Sequence, residues 1–133
     1  MKIVKLIKKV NFYSIISKDA KLWTLADFLR TEVKNDIPWF RDFVFNKKRL
    51  GIGGNAISVE KDDDNNENLI IDMEWHNPYE EHEDRVVMHK DDFLKMLNDW
   101  EKVYSQKPDE IIITQDESGK ISITGKFTDN REV

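Results

Sequence analysis

The chain of 133 residues contains no cysteine. Disulfides, thiolate zinc sites and a thiol nucleophile are therefore excluded, and a reducing compartment is permitted. With only three prolines and five glycines it is far from a collagen-like or low-complexity composition. Long apolar runs are missing too. Lys5, Lys8 and Lys9 interrupt the opening "MKIVKLIKKV" before a secretory apolar region can form, and no stretch approaches the ~20 apolar residues of a membrane span. These absences lead to the expectation of a single cytoplasmic domain over residues 1–133, with 127–133 as a frayed tail and no membrane partner.

Hydrophobic residues make up 39% of the chain and charged ones 35%, with four Trp and seven Phe, a balance that favours a folded domain with a highly charged surface over a disordered chain. At this size a core forms without a metal to hold it. The net charge of -5 hides a segregation along the sequence. Residues 1–50 carry twelve Lys/Arg against five Asp/Glu, whereas residues 60–92 carry three against thirteen.

The apolar pattern separates into helical and extended segments. Residues 1–16 suit a helix or an extended lead-in followed by a strand, because Ile3, Leu6, Ile7 and Val10 share a helical stripe while Phe12 to Ile16 is aromatic and β-branched. Leu22, Leu25, Ala26, Leu29 and Val33 recur at helical spacing, with Thr24 and Asp27 approximating a cap. Asp36 and Pro38 open a second short helix. The period then becomes two: "NAISVEKD" and "NLIIDMEW" flank a turn-rich "DDNNEN", predicting an antiparallel hairpin, and "RVVMHK" predicts a third strand. A helix follows with Phe93, Leu94, Leu97, Trp100 and Tyr104 on one face, capped by Asp91 and stopped by Pro108, with His89 either an alternative cap or at the edge of the core. The last hairpin turns at Ser118 and Gly119. The expected fold is α+β: a mostly antiparallel sheet of about five strands, with two to three helices packed on one face.

No pattern carries catalytic chemistry. His76, His82 and His89 are six and seven residues apart, whereas ligating pairs favour spacings of four on a helix or two on a strand, so no metal site is assigned. "GIGG" after Lys47, Lys48 and Arg49 lacks both the Gly-Lys-Ser/Thr of a phosphate loop and the strand-turn-helix context of a dinucleotide site. There is no Gly-x-Ser-x-Gly, and the only Glu-x-Lys, Glu32 to Lys34, falls in a predicted helix. Trp23, Trp39, Phe40 and Phe43 fall at helical spacing that suits a core, and the chain is acidic overall, so no nucleic-acid partner is expected. The outstanding feature is the acidic block, whose self-repulsion a purely structural surface avoids by mixing signs. Such a face steers a basic partner.

The run from Val86 to Phe127, containing "FLKMLNDWEKV" and "KPDEIIITQDESGKISITG", resembles the tail of small cytoplasmic immunity proteins of bacterial contact-dependent and polymorphic toxin systems. The resemblance is one of size, acidity and layout over about a third of the chain. It implies a non-catalytic inhibitor, without cofactor, that covers the active site of one cognate toxin domain, often a nuclease. The expected docking surface comprises Asp72, Glu74, Glu80, Glu81, Glu83 and Asp84, with Trp75 and Tyr79 as aromatic anchors. Two rival expectations are a metal-assisted enzyme using the His/Glu-rich segment 74–92, and a regulatory oligomerisation module.

Overall fold

The computed structural model describes residues 1–53, 57–65, 67–73 and 83–128. The chain is α+β. Its strands are β1 (Lys2–Lys8), β2 (Tyr13–Ser17), β3 (Gly51–Gly53), β4 (Ile57–Lys61), β5 (Asn68–Met73), β6 (Val86–His89), β7 (Glu110–Gln115) and β8 (Ile121–Lys126). Its helices are α1 (Ala20–Asp27), which runs on as a π-helical segment Phe28–Val33, α2 (Ile37–Phe45) and α3 (Lys90–Tyr104). All strand pairings are antiparallel, as expected, but they form two sheets, ordered β2-β1-β7-β8 and β3-β4-β5-β6. Strands outnumber the expected five because residues 2–17 form a hairpin and Gly51–Gly53 adds a short edge.

β1 is extended because alternation wins over the helical stripe. Val4 and Leu6 are fully buried opposite Ile113 and Ile111 of β7, while Lys5 points outward. α1 touches strands of both sheets, and so does α3, which places these two helices between the sheets, with α2 packed against α3. The layer is filled by Leu22, Leu25, Phe28, Phe93, Leu97 and Trp100. Phe28 packs edge-on against Phe40 at 5.5 Å, and Trp100 stacks on Tyr104 at 4.9 Å. No described helix is long and apolar enough to cross a membrane.

Two helix caps differ from expectation. Asp19, immediately before α1, accepts from the Leu22 N–H at 2.9 Å, whereas Thr24 lies within the helix and donates its hydroxyl to the Ala20 carbonyl. Partial burial of Asp19 opposes ionisation, but the Leu22 N–H and the Lys2 ammonium outweigh it and hold the carboxyl below its ordinary range. His89, not Asp91, caps α3: its Nδ1 accepts from the Asp91 N–H at 3.1 Å, which leaves Asp91 and Asp92 in the first turn facing the positive end of the helix dipole. α2 begins at Asp36 and Pro38 as expected, without a side-chain cap bond. α3 ends at Tyr104, four residues short of Pro108.

Buried polar groups tie the layers together. Trp100 Nε1 donates to the Lys34 carbonyl at 2.7 Å, where Lys34 ends the π-helical segment at φ 48°. Arg30 bonds Asp27 at 2.8 Å and also the Tyr13 carbonyl, and the Tyr13 hydroxyl donates to the Pro108 carbonyl at 2.7 Å. In the β7–β8 turn, Asp116 Oδ1 accepts from the Ser118 and Lys120 N–H groups, and Gly119 adopts φ 90°, a conformation costly for a residue with a Cβ. The Ser118 hydroxyl bond, first, and these N–H groups hold the Asp116 carboxyl below its usual range. Beyond β8, the Thr128 N–H donates to Asp109, so the start of the expected frayed tail is tied to the domain.

Candidate interaction surface

Of the eight residues expected to form the docking surface, Asp72, Glu83 and Asp84 are described; Glu74, Trp75, Tyr79, Glu80 and Glu81 lie outside the described residues. His76 and His82 lie outside them as well. The three that are described do not share one environment.

Asp72 sits in β5 opposite Ser58 and is only 7% exposed. Its Oδ2 accepts from Arg85 Nε at 2.9 Å, and its Oδ1 from the Met73 N–H at 2.9 Å. An aspartate this enclosed, bonded to a guanidinium just before the neighbouring strand, ties the end of β5 to the start of β6 and presents little charge to a partner. Glu83 is exposed, whereas Asp84 is half-buried and lines a shallow hollow with Lys18, Asp19, Trp23 and Met73 beside the start of α1. This end of the second sheet therefore keeps Glu83 and Asp84 near its surface.

The opposite end of the same sheet holds the acidic residues that the sequence reading did not single out. The β4–β5 turn carries Asp62, Asp63 and Asp64, followed by Glu67, whose carbonyl accepts from the Lys90 N–H and so brings the turn against the first turn of α3 with Asp91 and Asp92. Asp63, Asp64, Glu67, Asp91 and Asp92 are exposed. Lys90 Nζ lies 2.7 Å from Glu67; this bond pulls the Glu67 carboxyl below, and the Lys90 ammonium above, their ordinary ranges. The signal was present in "EKDDDNNEN", but reading it as turn chemistry obscured it as surface chemistry.

His89 has a local structural role. Nδ1 serves as the α3 cap and Nε2 lies 4.0 Å from Glu67. Among the described residues no group of three His, Asp or Glu is arranged to hold a metal. Of the aromatic residues interleaved with the basic ones, Phe40 and Phe43 are buried, Trp39 stacks on Phe43 at 6.0 Å, and Arg49 lies over the Trp39 ring at 5.1 Å. The basic first strand is matched within its own sheet and at the α1 cap, with Lys5 at 3.6 Å from Glu110, Lys8 at 3.5 Å from Asp109 and Lys2 at 3.3 Å from Asp19.

Compared with protein-family models, curated proteins and solved structures, the chain matches none.

Proposed function

We propose that this protein is a non-catalytic binding protein of the bacterial cytoplasm that neutralises a basic partner, in the manner of an immunity protein covering the active site of a cognate toxin domain. The observation that supports the reading is the exposure of carboxylates at both ends of the second sheet: Asp63, Asp64, Glu67, Asp91 and Asp92 at one, Glu83 at the other. Negative charge concentrated in this way raises the encounter rate with a basic surface and repels acidic competitors. Asp72 is removed from the docking set, because its charge is spent on Arg85. Glu74, Glu80, Glu81, Glu83 and Asp84 remain its centre, with Trp75 and Tyr79 as the anchors.

The test is co-expression with the product of the gene immediately upstream, with growth and binding kinetics as readouts. The chain should relieve growth inhibition by that product. Reversing Glu80, Glu81, Glu83 and Asp84 to Lys together should lower the association rate about tenfold or more at low salt, with a smaller loss at high salt. Failure to relieve inhibition, or an unchanged association rate after reversal, rejects the reading.

A further inference from the structure

The sequence "FVFNKKRLG" between α2 and β3 leaves two large apolar side chains in solvent: Phe45 is 67% exposed and Leu50 62%. They are not isolated. With Val44, Lys47, Lys61, Glu67 and Lys90 they line a cleft of about 450 Å³ where the end of α2, the end of β4 and the start of α3 converge. That volume falls within the roughly 300–1,000 Å³ of small-molecule sites, and the convergence at one spot suits a compact occupant better than an extended chain.

The polar groups of the cleft are mostly cationic, three lysines against one glutamate, in a chain of net charge -5. Two of the ammonium groups are held in place. Lys61 Nζ donates to the Asn46 carbonyl at 2.6 Å and sits 5.0 Å from the centre of the Phe43 ring, and Lys90 is bonded to Glu67 at 2.7 Å. Lys47, which also lines the cleft, makes no ion pair among the described residues and is exposed. Fixed cations beside exposed apolar side chains select a ligand that carries a negative charge next to an apolar body. Glu67, and the adjoining Asp62 to Asp64 turn, disfavour a second negative charge, so the geometry fits a monoanion and not a polyphosphate.

We propose that this cleft is a binding site for a small organic carboxylate with an aromatic or branched aliphatic body, the body resting on Val44, Phe45 and Leu50 and the carboxylate meeting Lys47 and Lys61. The cleft adjoins the acidic β4–β5 turn, with Glu67 at the boundary between them.

The test is calorimetric titration of the intact chain with phenylbutyrate, with phenylbutanol and inorganic phosphate as the uncharged and non-apolar controls. Saturable binding in the millimolar range or tighter is expected for phenylbutyrate, and at least about tenfold weaker binding for both controls. Lys47→Glu and Leu50→Ala, both at exposed positions that leave the fold intact, should each weaken phenylbutyrate binding about fivefold or more, while Glu67→Gln should strengthen it about twofold to threefold by removing the like charge. Equal binding of phenylbutanol, equal binding of phosphate, or indifference to Lys47→Glu and Leu50→Ala overturns the proposal. So does binding only of an acetylated acidic peptide and not of the free acid, because the occupant would then be a partner's chain.

Discussion

Replacing Asp72 with Ala decides between two roles for a residue that the sequence placed on a docking surface. In the fold its carboxylate is 10% exposed and lies 2.9 Å from Arg85 Nε, whose side chain is 19% exposed. With charge centres about 4 Å apart, the attraction is about 4 kcal/mol at an effective dielectric near 20, and desolvation of both ions offsets part of it. Truncating one partner removes the attraction but leaves the cost of enclosing the other. We therefore expect Asp72→Ala to destabilise by about 2–4 kcal/mol, lowering Tm by roughly 6–14 °C for a domain of this size. Asp72→Asn, which keeps an acceptor oxygen, should cost about half as much. The double variant Asp72→Leu with Arg85→Met should be less destabilised than either single truncation, since no buried charge is stranded. Urea unfolding followed by tryptophan fluorescence measures all four proteins. A loss under about 0.5 kcal/mol for Asp72→Ala, within the ordinary range of surface substitutions, refutes the buried-pair account and returns Asp72 to the docking surface.

Three further outcomes follow from the caps, the buried tryptophan and the turn. Asp19→Ala should cost about 1 kcal/mol at neutral pH through the lost α1 cap, whereas Asp19→Asn should retain most of it. Because the folded carboxyl is held below its ordinary value of 3.8, its contribution is present above that value and is lost as pH falls through the folded pKa, so acid unfolding below about pH 4 should be shallower in Asp19→Asn. Trp100→Phe removes the donor to the Lys34 carbonyl and part of a fully buried ring; a loss of about 1–3 kcal/mol in chemical unfolding is expected, and a neutral result would mean that this tie contributes nothing. Gly119→Ala should cost about 1 kcal/mol at its positive φ, and Gly119→Asn clearly less, as thermal melts would show.

The parts of the fold that were legible in the sequence are those with local signals. α3 could be read from the spacing of Phe93, Leu97 and Trp100, and the hairpins β4–β5 and β7–β8 from their turn residues, because each pattern closes within twenty residues. β1 could not be settled this way. Its partner β7 lies more than a hundred residues away, and Ile3, Leu6 and Ile7 mimic a helical stripe that only the pairing with Ile111 and Ile113 overrules. The division into two sheets was also hidden, although α1 carried a clue. Leu22, Thr24, Leu25, Ala26, Phe28 and Leu29 are all buried, a wider apolar surface than a helix lying on a single sheet requires. At α3 the sequence offered both Asp91 and His89 as caps, and residue preference alone favours the aspartate, because histidine is an uncommon cap.

Charge shows how a linear pattern can mislead and still matter. Along the chain the basic first half and the acidic block look like natural counterparts, yet among the described residues no ion pair joins them. Lys5, Lys8 and Arg41 pair with Glu110, Asp109 and Glu101, all from the C-terminal stretch, and Lys2 pairs with Asp19 from the basic half itself. Within the 60–92 block, Asp72 is met by Arg85 and Glu67 by Lys90, both partners coming from the block itself. Folding thus compensates the first sheet within itself and leaves the second with a surplus of carboxylate at its ends. Exposed carboxylate concentrated in this way is available to act on a partner outside the chain. Lys47 makes no ion pair among the described residues and Lys61 bonds a backbone carbonyl, so the cleft keeps positive charge beside the acidic β4–β5 turn.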